Sequence, residues 1–302
     1  METDLTVIFC RIDDFCKHYN QQALIGSMPF LGTSSSKTNE WRMTHSEIMT
    51  VLVYGAACST DFKTFKAFYR HKESELRSAF PTLLSYERIT ELKQEVNIYL
   101  AAFFLSILSQ CTGISYIDSA KIEACKIKRT NRHKTLIKIA KKGKTSDGWF
   151  FGTKLHLVLN HAGEIVNFML TPGNVADNNH RVINFLSHDI FGKIFGDKGY
   201  ILDPDFWRIL FEQGVQFIHG LRKNMKARPL MPLVDKLLLR KRPSIVESAF
   251  GILKDRMSLQ YTRVRSVYGF LCNILCSLVA YQLRPNKPKL PIVENVPLTT
   301  VF

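Results

Sequence analysis

Apolar and polar residues alternate differently in the two parts of the chain. In 44-THSEIMTVLVYGA-56, Thr44 and Glu47 stand at capping-box spacing before an apolar run, which predicts a helix start. The stretches 61-DFKTFKAFYRH-71, 73-ESELRSAF-80 and 86-YERITELKQEVNIYLAAFFLSILSQ-110 repeat apolar residues at helical spacing, with Pro81 as a break. Residues 1–110 therefore read as a mainly α-helical N-terminal domain. Interspersed Lys and Arg suit a helix-turn-helix-like DNA-binding unit, and the same pattern equally suits a helical packing or dimerisation domain.

From residue 114 the texture changes. The run 114-ISYID-118 predicts a short strand, and 121–144 a basic loop with ten Lys or Arg against one acid, Glu123. Strands follow at 151-FGTKLHLVLN-160 and 164-EIVNFMLT-171, joined by the turn signal 160-NHAG-163. Next come a helix over 178–190, a strand at 192-GKIFGD-197, a helix over 203–213 and a strand at 214-GVQFIHG-220. After a basic connector, 222–242, a helix starts near Ser244 and another fills 267–283. This order implies an α/β fold: a ribonuclease-H-like catalytic core over 111–284, a mixed sheet with helices on both faces. No Gly-rich phosphate loop follows the first strand, which disfavours a dinucleotide-binding fold. Residues 285–302 form a Pro-rich C-terminal tail, expected to be extended or disordered.

Charge adds a partner. Lys and Arg outnumber Asp and Glu by 41 to 26, a net +15 over 302 residues, and self-repulsion of that size points to a polyanion. Seven cysteines, at 10, 16, 58, 111, 125, 272 and 276, include no CxxC pair and read as buried free thiols of a reducing compartment, with no zinc site. No signal peptide is evident, and 99–108 and 270–283 are too short or too polar to span a bilayer. The expectation is a cytoplasmic protein with no membrane partner.

Placed on the element order, Asp118 ends the first strand and Asp197 ends the fourth. Parallel neighbours would bring both to one crevice at the carboxyl end of the sheet. Glu247, in the first turn of a helix packed over that crevice, could be the third member. Converging carboxylates repel unless cations lie between them, and hard oxygen donors suit Mg²⁺. Two such ions, about 3.5–4 Å apart, support in-line displacement at a phosphodiester. Taken singly, each acid is as readily a turn or helix-start residue.

These residues also carry a resemblance. The chain is similar to bacterial insertion-sequence transposases of the DDE class, of the insertion sequence 982 type. The similarity rests on 41-WRMTHSEIMT-50, 63-KTFKAFY-69, 84-LSYERITEL-92, 117-IDSAKIEACKIKR-129, 141-KKGKTSDGWFFGTKLHLVLN-160, 171-TPGNVADN-178, 195-FGDKGYI-201, 237-LLLRKRPSIVESAFGILK-254 and 279-VAYQLRPNKPKL-290. It implies that Asp118, Asp197 and Glu247 are the catalytic, metal-binding triad, using two Mg²⁺ ions for which Mn²⁺ can substitute. Lys254, seven residues beyond Glu247 and roughly on its helical face, would contact DNA. The chain departs from the family pattern at 121–124, where a proline is common, and at Tyr261 and Val264, where histidines are usual. Pro243 also lengthens the approach to Glu247 by one residue.

The resemblance implies a mobile-element transposase that hydrolyses phosphodiesters at element ends and transfers the 3′-hydroxyl into target DNA. Partners would be double-stranded terminal inverted repeats and target DNA, bound by a homodimer or larger assembly in the nucleoid. Basic side chains expected on DNA are Lys126, Lys128, Arg129, Arg132, Lys141, Lys142, Lys198, Arg240, Lys241, Arg242 and Lys254. Two alternatives stay open: a metal-dependent nuclease or resolvase without strand transfer, and a catalytically inactive transposase-derived DNA-binding protein. Asp177 reads as a helix N-cap or a metal neighbour, and His156 as a packed side chain. Trp149, Phe150 and Phe151 read as core or edge packing, with base stacking as the other option.

Overall fold

The computed structural model describes residues 4–24, 43–62, 64–220, 231–260, 264 and 266–290. Trp41, Arg42, the connector up to residue 230, most of 261–265 and the tail beyond 290 lie outside the described residues. The elements, in chain order, are α1 (Leu5–Leu24), α2 (His45–Ala57), α3 (Phe65–Ala79), α4 (Tyr86–Ser106), β1 (Ile114–Cys125), β2 (Lys141–Thr145), β3 (Gly148–Asn160) and β4 (Ile165–Pro172). Then follow α5 (His180–Leu186), β5 (Gly192–Gly196), α6 (Pro204–Glu212), β6 (Val215–His219), α7 (Leu233–Gly251) and α8 (Val267–Leu283). A 3₁₀ turn spans Ile127–Arg132, and a π turn, Ile252–Arg256, continues α7. Among the described residues the chain divides into two compact units. One lies within Met1–Ile107 and Ile252–Pro285, the other within Leu108–Gly251 and Asn286–Phe302.

The helical unit starts its helices on hydroxyl caps. Thr44 accepts from the Glu47 N–H while the Glu47 carboxylate accepts from the Thr44 N–H, the reciprocal pair that the sequence predicts. Thr64, Ser85 and Ser266 cap α3, α4 and α8. α3 is one helix where the pattern predicted two, because 71–73 holds no breaker and Arg77 pairs back to Glu73 at 2.8 Å. α8, placed by the sequence within 111–284, clusters with α1–α4. Its Gln282 amide donates to the Ile107 carbonyl at 3.0 Å, and the Asn97 amide of α4 donates to the Tyr268 carbonyl at 2.9 Å.

The second unit is built on a six-stranded mixed sheet in the order β2-β3-β1-β5-β6, with β4 also on β3. β1 runs antiparallel to β3 and parallel to β5, and β5 runs parallel to β6. The strands differ from the sequence pattern in their limits, with β3 starting at Gly148 and not at Phe151. β1 continues to Cys125, and β2 forms inside the predicted basic loop. β2 reads Lys-Lys-Gly-Lys-Thr with its three lysines exposed and only Gly143 buried, so an edge strand arises with no apolar alternation to mark it. Helices cover both faces, as expected. Ile117, Val158, Ile194 and Phe217 meet Val182 and Leu186 of α5 and Phe206 and Leu210 of α6.

Alternation along the strands turns Lys193 and Phe195 to the other face, and α7 lies there. α7 begins at Leu233, not near Ser244, and runs through Pro243. A proline inside a helix removes one bond and crowds the preceding turn. Here one face, Asp235, Arg242, Ile245, Val246 and Ala249, stays buried across it and holds the helix on the sheet. The Lys193 ammonium and the Asp235 carboxylate pair at 2.8 Å, both buried. Breaking such a pair from one side strands a charge. Lys193→Met alone is expected to cost about 3–5 kcal/mol in urea unfolding, and adding Asp235→Leu is expected to recover most of it.

Candidate functional site

The sheet register brings the first two aspartates together. β1 and β5 pair Tyr116 with Phe195, so two residues further on Asp118 and Asp197 fall opposite each other where the β1–β5 pairing ends. Asp118 does not end its strand as predicted, because β1 continues along β3 to Cys125. Their surroundings differ. Asp118 stays within β1, opposite Leu157 of β3, and keeps 22% of its side chain exposed. Its Oδ1 accepts from the Ser119 N–H at 2.8 Å, and its Oδ2 meets Arg242 Nη2 at 2.9 Å. Arg242, 7% exposed in its side chain, also donates to the Ile117 carbonyl through Nε at 3.2 Å and Nη2 at 3.1 Å. Burial pushes the Asp118 carboxyl up to about 6; the Arg242 guanidinium and the Ser119 N–H pull it down, and Asp197 and Asp177 add repulsion.

Asp197 sits one residue past β5 and is exposed. Its Oδ1 accepts from the Gly199 N–H at 2.7 Å, which closes an Asx-type turn. The glycines on either side have steric reasons. A Cβ on Gly199 would lie 2.9 Å from Asp197 Oδ1, and one on Gly196 would lie 2.9 Å from the Tyr200 Cβ. Tyr200 is 1% exposed, its hydroxyl has no hydrogen-bond partner among the described residues, and its pKa is raised by burial and then by Asp118 and Asp177.

Asp177 joins this group from the loop after β4. Its Oδ1 accepts from the Ser119 hydroxyl at 2.7 Å and from the Lys154 ammonium at 3.0 Å. Lys154 is buried and also donates to the Val175 carbonyl at 3.0 Å. The N-cap of α5 is Asn179, so Asp177 is not the cap that the pattern suggested. His156 is buried, bonds Thr171 Oγ1 at 2.9 Å through Nε2, and burial lowers its pKa to about 4.

Glu247 is not brought into this group. It stands on the exposed side of α7, fifteen residues into the helix and not in its first turn as predicted. What α7 brings to Asp118 is Arg242. Among the described residues no three His, Cys, Asp or Glu side chains form a group that could hold a metal ion. Asp118 and Asp197 have the hard oxygen donors that suit a divalent cation, and in this arrangement they supply two ligands.

The expected DNA-binding side chains separate by exposure. Lys126, Lys128, Arg129 and Arg132 are exposed along the 3₁₀ turn, Lys141 and Lys142 on β2, Arg240 and Lys241 on α7, and Lys198 beside Asp197. Arg242 instead faces inward. Lys254 lies in the π turn Ile252–Arg256 and is half-buried. Sequence reasoning missed Ser119, Lys154, Tyr200 and the inward role of Arg242. Lys154 carried one readable signal, a charge inside the run 151–160.

The family model described as the transposase DDE domain matches residues 108–267. No curated protein matches the chain.

The raised Asp118 pKa has a stability consequence. Its folded value, about 6, lies above the ordinary aspartate value of 3.8, so the folded state holds the proton more tightly. Stability from this group is present below about 4 and is lost as pH rises through about 6. Asp118→Asn is expected to remove that component when urea unfolding is compared across this range.

Proposed function

The chain belongs to the transposase DDE domain family, and on that premise we propose a DNA transposase of the insertion sequence 982 type. In this reading it hydrolyses phosphodiesters at element ends and joins the freed 3′-hydroxyl to target DNA. The observation that carries it is the alignment of Asp118 and Asp197 on adjacent parallel strands, just past their last paired residues, inside the matched segment.

A divalent cation, Mg²⁺ with Mn²⁺ as a substitute, supplies Lewis acidity at the scissile phosphate, in a two-ion arrangement. Asp118 and Asp197 would hold it, and Glu247, which stands apart from them in the free chain, would join as the third ligand when metal and DNA are bound. The chain's own residues orient those donors. Ser119 N–H and Arg242 fix the two oxygens of Asp118, and Gly199 N–H fixes one oxygen of Asp197. Exposed Lys126, Lys128, Arg129, Arg132, Lys141, Lys142, Arg240 and Lys241 would neutralise backbone phosphates, with Lys198 and Lys254 closer to the reacting strand. The helical unit would recognise terminal inverted repeats, and a homodimer or larger assembly would pair two ends. No helix among the described residues is long and apolar enough to cross a membrane. The proposed setting is the cytoplasm, on nucleoid DNA.

The test is cleavage and joining on duplex DNA from the borders of the coding sequence, with Mg²⁺. Joined products support transposition, cleavage without joining indicates a nuclease or resolvase, and binding without cleavage indicates an inactive descendant. Asp197→Ala is expected to lower cleavage by about a hundredfold or more while duplex binding persists. Unchanged cleavage would remove Asp197 from the site. Replacing Lys126, Lys128, Arg129 and Arg132 by alanine should flatten the salt dependence of duplex affinity, by about 0.9 in log–log slope per lost phosphate contact. Fluorescence anisotropy across a salt series reads this directly.

A further inference from the structure

The β2–β3 hairpin presents an aromatic ring that the protein's own core does not use. Phe150 and Phe151 turn inward at 2% and 5% exposure, whereas Trp149 is 64% exposed. Trp149 pairs across the hairpin with Lys144, and the Lys144 ammonium lies 5.8 Å from the ring centroid. Lys142, two residues before Lys144, projects from the same side of β2. Lys141, Lys142 and Lys144 are all exposed, and among the described residues no carboxylate pairs with any of them. The hairpin cannot readily turn this face inward. Its other side is closed by Phe150 and by Gly143, where an added Cβ would lie 2.0 Å from the Gly173 carbonyl oxygen. At the tip, Asp147 is tied to Lys121 of β1 at 3.2 Å.

We propose that Trp149 is a stacking platform for an unpaired base of bound DNA, with Lys142 and Lys144 holding the adjoining phosphates. This deepens the transposase reading and rests on it. The lysines select a polyanion over a peptide or lipid tail. One side of the indole meets a cation and the ring remains widely open, and a base supplies the flat face that completes it. In a closed duplex each base face is covered by its neighbour, so only an unpaired or terminal base can stack on a side chain.

Placement agrees with a role near the strand break. β3 runs without interruption from Trp149 to Leu157, the residue paired with Asp118. Eight residues of strand span at most about 27 Å. That is less than one turn of B-DNA, about 34 Å. A base displaced within one turn of the scissile phosphate would therefore be in reach of the ring.

The test uses the full chain and three probes: a duplex, the same duplex with a single-stranded dT overhang, and a dT oligonucleotide alone. Trp149→Ala is expected to weaken overhang and dT binding by about five- to a hundredfold, and duplex binding far less. Trp149→Phe, which keeps a flat ring, should retain most of the affinity. Binding of dT should quench tryptophan emission in the native chain, and that change should be missing in Trp149→Phe. Equal affinity of Trp149→Ala and the native chain for the overhang would overturn the proposal. So would an equal loss on the paired duplex, or quenching that persists without Trp149. A native chain that binds none of the probes would also remove the DNA partner on which the transposase reading depends, whereas duplex binding with Trp149 silent removes the stacking platform alone.

Discussion

Arg242 reaches from α7 to the middle of the sheet and holds the Asp118 carboxylate and the Ile117 carbonyl at once. A carboxylate this enclosed by β-sheet would be hard to ionise by itself, and the guanidinium opposes that cost with charge and several hydrogen bonds. The same contact fixes the helix. Seven residues earlier, about two turns along and on the same side, Asp235 makes the second buried ion pair with Lys193 of β5. Two buried pairs therefore join α7 to the two strands that carry Asp118 and Asp197. They also explain why Pro243 lies within the helix without ending it, and why Glu247 faces away from the buried side.

The two aspartates on β1 and beyond β5 have contrasting environments. Asp118 is enclosed, paired with arginine and flanked by the Ser119–Asp177–Lys154 network. Asp197 is exposed and held by a backbone N–H in a turn that leaves little room at Gly196 and Gly199. The buried Tyr200 hydroxyl, within the electrostatic reach of both, has no hydrogen-bond partner among the described residues, a state uncommon in folded proteins. Environments this different at adjacent positions are how a fold gives two similar carboxyls separate tasks.

The positive charge is likewise divided. Lys154, Lys193 and Arg242 are consumed inside as counter-ions of Asp177, Asp235 and Asp118. The lysines and arginines of the 3₁₀ turn and of β2 remain at the surface, on the same unit as the two aspartates. A basic count from composition mixes the two groups. Surface groups such as the second can meet phosphates and the buried ones cannot, and Trp149 stands beside the lysines of β2.

Much of the architecture was legible. The Thr44 capping box, the strand order around Asp118 and Asp197, and the helices on both faces follow from local periodicity and from capping and turn chemistry, which act over a few residues. β2 and the start of α7 were not, because an edge strand of lysines has no apolar alternation and a helix crossing a proline depends on burial against a sheet. The same division holds at the site. The sequence marked Asp197 as the acid just past a strand, since turn glycines are written locally, but not the extent of β1, which carries Asp118 inside it. Tertiary structure decided that Arg242 points inward, that Glu247 does not join the aspartates, and that Trp149 is exposed beside Phe150 and Phe151. Those outcomes depend on helix rotation and on which face of a strand meets a partner, and both are fixed by long-range packing.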